Sequence, residues 1–327
     1  MNTPADIPSP SPVPGSAAPA RPVVPPFVWS FARHETFQTC LRRYWFSYYG
    51  AWGGWRTDAP ATVRELYRLK RLFTRQQWTG RHIHQALDRL VTHHIADPAP
   101  PAELAARAAA RELDFMRDEF RDSRAEAVQP PQAAMSGLFE HEYRIDIPLL
   151  EWKAAADRVA AAVTAFCSSP LWQHLRTLPE GAILPIDRKT TFEIDGLAVR
   201  ALPDLAFRDG GILHLYDWKS DRLPLAEHRL ELGTYLLLAL GRWTDDPSQV
   251  RATACNPATG ETADFTYTAG EIEDIRSFIR DSAEEMLFPL EDPARNLAPT
   301  PDSFDCTADP AACADCPFLR ACPRWHR

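Results

Sequence analysis

Apolar residues recur at helical spacing from Thr62 to about Gln77 and again from Gly80 to Ile95, which predicts two helices. Asp97-Pro-Ala-Pro-Pro interrupts the pattern, and an Ala/Arg/Glu-rich helix is predicted from about Ala102 to Glu126. Gln129-Pro-Pro is a second break. A short strand around Glu140 to Ile147 and a helix from about Leu150 to Cys167 are expected next. After Gly181 the pattern becomes extended. Ile183 to Ile194, Leu197 to Phe207 and Ile212 to Lys219 read as strands joined by the turn signals Asp195-Gly196 and Asp209-Gly210-Gly211. A helix from about Pro224 to Trp243, strands at Arg251 to Asn256 and Ala263 to Tyr267, and a helix from about Ala269 to Met286 complete the pattern. From Pro289 onward the chain is rich in Pro, Asp and Cys. With no internal repeat, this order suggests one α/β domain beginning near residue 27.

The first 26 residues hold nine prolines among Ser, Ala and Val. Proline lacks an amide donor and fixes its backbone, so this stretch is expected to be a disordered tail. It lacks the basic start and continuous apolar core of a signal peptide. No apolar run nears the roughly 18 residues that a membrane helix needs, so a cytoplasmic protein without membrane contact is expected. At 45% hydrophobic over 327 residues, the remainder can bury a full core. The formal charge of −8 argues against a general nucleic-acid coat, but it is unevenly spread. Between residues 27 and 95, eleven Lys and Arg face four Asp and Glu; the first 26 residues balance, so the rest carries −15. One basic face on an acidic protein fits this asymmetry, as does an ordinary solvated helix surface.

The densest chemistry lies between Asp204 and Lys219. With Gly210 and Gly211 as a two-residue turn, Asp209 pairs with Ile212, Asp204 falls opposite Asp217, and Leu202 opposite Lys219. Opposed residues, and residues two apart on a strand, project on one face, so Asp204, Asp217 and Lys219 converge. Two carboxylates so close repel unless a positive charge intervenes, and a hard cation such as Mg²⁺ serves. The competing reading is an Asp217–Lys219 pair on a solvated face. Apolar Ile212, Leu213 and Leu215 instead set these charges at the edge of a core.

The order Gly80-x-x-x-His84, Pro203-Asp204, Asp217-Trp218-Lys219 and then a helix carrying Tyr235 resembles the RecB-like branch of the PD-(D/E)XK nucleases, from Trp29 to the C-terminus. The resemblance implies a restriction-endonuclease-like α/β fold, a mixed central sheet flanked by helices with an N-terminal helical region. It implies Mg²⁺ or Mn²⁺ held by His84, Asp204, Asp217 and the Trp218 carbonyl, with Lys219 assisting the attacking water. The family's helix usually carries Gln-x-x-x-Tyr. Here Glu231 stands four before Tyr235, on the same helical face, without the amide that would contact DNA. His82 competes with His84, but two residues apart on a helix point roughly 200° apart. The family spacing from Gly80 selects His84.

Cys313-x-x-Cys316-x-x-x-x-x-Cys322, flanked by Pro317 and Pro323, suits a metal centre better than a core. A fourth ligand is needed, and Cys306 is nearest in sequence. Phe37-Gln-Thr-Cys40-Leu-Arg-Arg-Tyr44, however, resembles the early cysteine segment of iron–sulfur nucleases such as those of CRISPR adaptation and AddB-type helicase subunits. That likeness implies a [4Fe–4S] cluster on Cys40, Cys313, Cys316 and Cys322, clasping the two ends of the fold. The alternative is structural Zn²⁺ on Cys306, Cys313, Cys316 and Cys322. Cys167 and Cys255 read as buried thiols.

Together these readings imply metal-dependent hydrolysis of DNA, single-stranded or with free ends, in repair, recombination or defence, with a helicase or defence-system partner delivering the strand. Arg42, Arg43, Arg56, Arg64, Arg68, Arg71 and Arg75 are candidate phosphate contacts. Trp45, Trp52 and Trp55 can stack on bases or pack in a core. One rival is a non-catalytic nucleic-acid-binding or assembly module, against which the intact His84, Asp204, Asp217 and Lys219 weigh. A metal-dependent hydrolase of another substrate is the other, and the Arg-rich segment weighs against it.

Overall fold

A computed structural model describes residues 24–126, 137–187, 191–220 and 224–324. The expected disordered tail lies, up to residue 23, outside the described residues. The chain opens with α1 (Phe31–Thr39) and α2 (Leu41–Trp45), the latter continuing as a π-helical turn, Phe46–Gly50. A helical segment follows: α3 (Ala61–Lys70), β1 (Leu72–Phe73), α4 (Arg75–His94), α5 (Pro101–Glu126), β2 (Gly137–Leu138), α6 (Phe139–Glu142), α7 (Leu149–Ser168) and α8 (Pro170–Leu175). Next come β3 (Phe192–Ile194), β4 (Leu197–Val199), β5 (Leu205–Asp209), β6 (Ile212–Trp218), α9 (Arg229–Arg242), β7 (Val250–Cys255) and β8 (Thr262–Phe265). Then follow α10 (Ala269–Leu287) and the short α11 (Pro310–Ala314), and a 3-10 turn at Leu319–Ala321 comes after them.

Three expectations are corrected. The helix expected over 62–77 ends at Lys70, because Leu72 and Phe73 pair in parallel with Gly137 and Leu138. Thr74 then starts α4 with a reciprocal capping box to Gln77. No strand spans 140–147; α6 occupies its start, and Glu140 instead accepts the backbone N–H of Arg75 at 2.8 Å, capping α4. The long strands expected at 183–194 and 197–207 shorten to β3, β4 and β5, with residues 188–190 outside the described residues.

The central sheet has the order β5-β6-β7-β8 and is mixed: β5–β6 and β7–β8 are antiparallel, β6–β7 parallel. Asp209 pairs with Ile212 across the glycine turn, and both Gly210 and Gly211 have positive φ. Parallel β6 and β7 require a crossover, which α9 provides. Side chains alternate along the strands. Ala206, Leu213, Leu215, Ala252 and Ala254 face a core shared with α9 and α10. Leu205, Phe207, Trp218 and Cys255 face a second core built by α4, α5 and α7. The result is a helix–sheet–helix sandwich.

Residues 42–45 meet residues 299–304, and Tyr143 after α6 meets Pro317 of the cysteine-rich segment. Arg42 is buried and donates Nε–H to the Phe304 carbonyl at 2.8 Å, Trp45 Nε1 donates to Pro299 O at 2.8 Å, and Tyr143 OH to Pro317 O at 2.8 Å. Among the described residues no helix is long and apolar enough to cross a membrane.

Candidate active site

Register and parity build the site. Leu205 pairs with Tyr216, and the next residue outward, Asp204, continues the ladder by donating N–H to the Tyr216 carbonyl at 2.8 Å. Asp217 shares the parity of Leu213 and Leu215, so it faces α9, and Lys219 follows it on that side. Lys219 Nζ lies 2.5 Å from Asp217 Oδ2, and Tyr235 OH donates to Asp217 Oδ1 at 3.3 Å. Trp218 points the other way into the second core against Phe166, while its N–H donates to Asp204 Oδ2 at 2.7 Å.

His84 reaches this sheet end from α4, its Nδ1 2.9 Å from Asp204 Oδ1. Gly80, one turn earlier, lets the helix lie close: a Cβ there would stand 2.7 Å from Ser220 Oγ. His82 faces the other way and is fully buried, with Nδ1 on Glu112 and Nε2 3.1 Å from Glu119. The helical periodicity therefore separates the two histidines as expected.

Charge is crowded here. Burial pushes the Asp217 carboxyl well above its ordinary range, with Asp204 and Glu231 adding to the rise and Lys219 opposing it. Burial would lower Lys219, but the charges of Asp217 and Glu231 outweigh it and raise the ammonium. Burial would likewise lower His84, yet Asp204 raises it. Glu231 is held down at about 2: burial opposes this, while His228 and Lys219 favour the carboxylate. Asp217 and Glu231 thus share the Lys219 ammonium, and Asp204 is paired with His84.

Asp204 and His84 open onto a cleft of about 1410 Å³, while Asp217 and Tyr235 are buried behind them. Arg43, Tyr48 and Lys70 line it farther out, and Pro317 and Phe318 of the cysteine-rich segment close one side. Arg75, Arg81 and Arg158 add positive charge. The profile of the PD-(D/E)XK nuclease superfamily matches residues 28–323. The chain belongs to the PD-(D/E)XK nuclease superfamily. No curated protein matches it. Members of the superfamily are generally nucleases and typically use Mg²⁺ or Mn²⁺.

The donors of this PD-(D/E)XK chain suit such a hard cation. Asp217 Oδ2 is buried, with the Lys219 ammonium 2.5 Å away. Among the described residues no three His, Cys, Asp or Glu side chains stand at coordinating separation; His84 bonds Asp204, and Lys219 sits between Asp217 and Glu231. The cysteines are arranged similarly. The Cys306 and Cys322 sulfurs are 3.7 Å apart, and the Cys306 and Cys316 thiols are pushed up to about 11, chiefly by burial, with nearby Cys40 and Cys322 adding to the rise. Cys313 joins this group through its carbonyl, which accepts the Cys316 N–H at 3.1 Å.

Of the candidate phosphate contacts, Arg43 and Arg75 line the cleft. Arg42 does not; it is buried against Phe304 and Asp302. Arg68 is paired with Glu65 and Glu142, Arg56 with Asp58, and Arg71 bonds Tyr67. Trp45 is packing, wedged on Gly50 and the Pro299 carbonyl, and Trp52 stacks edge-on against half-exposed Trp55. The sequence reasoning missed Arg158, which comes from α7 outside the basic segment, and His228, whose Nδ1 is 3.7 Å from Glu231. Neither carries a local signal.

Proposed function

We propose that this chain is a RecB-like, metal-dependent deoxyribonuclease acting on single-stranded DNA or DNA ends, in repair, recombination or defence. The observation that carries the reading is the gathering of His84, Asp204, Asp217, Lys219 and Tyr235 at one end of β5 and β6, where a cleft with cationic walls begins. The reading takes residues 27–327 as one nuclease domain: a helical part at about 60–180, a catalytic sheet at about 181–268, and a clasp at 306–327 with Cys40. Seven free thiols suit a reducing cytoplasm, where a helicase or defence-system partner would deliver the strand.

His84, Asp204, Asp217 and the Trp218 carbonyl would hold Mg²⁺ or Mn²⁺. Bound there, the cation supplies polarisation of the scissile phosphate and a lowered pKa for a bound water. Asp204 is oriented by His84 and by the Trp218 N–H, so its oxygens are fixed before substrate arrives. Lys219 is kept protonated by its two carboxylates, which suits it to stabilise negative charge on the attacked phosphate rather than to accept a proton. Arg43 and Arg158 make no ion pair among the described residues and line the cleft, so their charge is available to phosphates.

A [4Fe–4S] cluster on Cys40, Cys313, Cys316 and Cys322 belongs to this reading, supported by the approach of Cys40, Cys316 and Cys322. The 3.7 Å separation of Cys306 and Cys322 favours zinc as a second reading, because a thiolate tetrahedron with metal–sulfur bonds of about 2.3 Å has edges of about 3.8 Å. Iron and sulfide content against zinc content, in the wild type and Cys316→Ser, separates the two.

The function is tested by incubating anaerobically purified protein with labelled single- and double-stranded DNA and Mg²⁺ or Mn²⁺. Cleavage is expected, abolished by chelation and lowered at least about a hundredfold in Asp217→Ala and Lys219→Ala. DNA binding by the wild type without cleavage would sink the nuclease and leave the binding module.

A further inference from the structure

Glu231 uses both of its oxygens. Oε2 is 2.5 Å from Lys219 Nζ, and Oε1 lies 3.3 Å from the Tyr235 hydroxyl, whose one proton serves either Oε1 or Asp217 Oδ1. Each partner also reaches Asp217, Lys219 Nζ at 2.5 Å from Oδ2 and Tyr235 OH at 3.3 Å from Oδ1. The four side chains close a ring: Glu231, Lys219, Asp217, Tyr235 and back to Glu231. The ring arises where two periodicities meet. Residues four apart share a helix face, and residues two apart share a strand face, so a pair from α9 meets a pair from the end of β6.

Lysine is a point charge on a flexible four-carbon stem, and a single anchor leaves its ammonium free to swing. Lys219 stands just past the last residue of β6, where its backbone is tied by one bond, N–H to Cys255 O at 2.8 Å. Its side chain therefore depends on partners for direction. Asp217 supplies one, and Glu231, from the first turn of α9, supplies the other.

We propose that Glu231 is a positioning residue that pins the Lys219 ammonium against Asp217, acting through Lys219 rather than on the substrate. This rests on the nuclease reading above. The clamp needs an sp² oxygen toward Lys219 and a polar atom toward Tyr235. A glutamine provides both, its amide donating to the tyrosine oxygen while Tyr235 still donates to Asp217. The proposal therefore predicts rescue by Gln and failure of side chains without an oxygen.

The experiment measures kcat and KM of the full chain on a single-stranded oligonucleotide with Mn²⁺, for Glu231→Ala, Glu231→Gln, Lys219→Ala and the Glu231→Ala/Lys219→Ala pair. Glu231→Ala is expected to lower kcat at least about tenfold with KM within about twofold, and Glu231→Gln to stay within about threefold of wild type. The double variant should be no slower than Lys219→Ala alone, since a residue acting through Lys219 has nothing left to act on. If Glu231→Ala does not fold, Glu231→Met keeps the length and replaces it. Wild-type kcat in Glu231→Ala, additive losses in the double variant, or a change confined to KM would overturn the proposal. A wild-type protein that binds DNA without cutting would overturn the nuclease reading itself, a distinguishable result.

Discussion

Gly80 sets how closely the helix carrying His84 approaches the sheet. Its missing Cβ would sit 2.7 Å from Ser220 Oγ but 3.9 Å from Ser220 Cβ, so rotating one hydroxyl relieves an added methyl and nothing relieves a larger group. Gly80→Ala is therefore expected to keep cleavage within about threefold and to gain up to about 1 kcal/mol from helix propensity. Gly80→Leu is an equally good helix former but must push α4 outward. Its kcat is expected to fall at least about tenfold, because His84 is displaced from Asp204, with a smaller loss of thermal stability. Equal activity in the two variants would remove Gly80 from the argument. At this scale the sequence was informative: the spacing from Gly80 selects His84, and the glycine turn sets Asp204 opposite Asp217. It was silent on His228 and Arg158, each of which depends on a partner from elsewhere in the chain, and it left open whether Cys306 or Cys40 joins the late cysteines.

Between elements, the joint of α4, α5 and α6 is polar and buried. His82 lies between Glu112 and Glu119, Arg81 pairs with Glu119, and His141 of α6 bonds Ser123 of α5 at 3.1 Å. Burial, with a contribution from Arg124, lowers His141 to about 4, and burial likewise lowers His82. Burial would raise Glu119, but the His82 hydrogen bond and Arg81 hold it at about 2. A histidine whose folded pKa lies below 6.5 binds more protons when unfolded between the two values, so stability falls as pH drops through that window. Glu119 works in the same direction below about 4.5, its stabilisation lost as pH falls toward 2. His84 opposes the trend, because its raised pKa gives stability that is complete below 6.5 and lost as pH rises. The urea midpoint is accordingly expected to fall between pH 7 and pH 4.5, and less steeply in His141→Phe. A His141→Phe profile that superimposes on the wild type would remove His141 from this account. Periodicity announced α4 and α5 but not their joint, and it ran α3 on through Leu72 and Phe73 because their partners, Gly137 and Leu138, lie sixty-five residues away.

For the whole molecule, the formal −8 conceals a cleft whose arginines come from three regions: Arg43 near the N-terminus, Arg75 and Arg81 on α4, paired with Glu151 and Glu119, and Arg158 on α7. Each phosphate contact releases counterions, so on the proposed reading affinity for single-stranded DNA should fall with salt at a slope set by the contacts made. Arg43→Ala and Arg158→Ala are each expected to weaken binding for all sequences and to reduce the slope of log K against log salt by about 0.7. Arg56→Ala, whose guanidinium pairs with exposed Asp58, should leave the slope unchanged. A slope unaltered by Arg43→Ala and Arg158→Ala together would move the strand out of this cleft.

What the sequence determined by itself was local: the period-two strands, the Gly210-Gly211 turn and its register, and the helical phase that turns His84 and His82 apart. These depend on residues a few positions away, where backbone geometry alone decides direction. Only the tertiary structure decided which arginines face the cleft and which are consumed by packing, that Glu231 closes a ring with Lys219, Asp217 and Tyr235, and that the Cys306 and Cys322 sulfurs lie 3.7 Å apart. Those outcomes depend on which surfaces the two cores bring together. Burial then changes what each charge is worth, a property that no single segment of the chain contains.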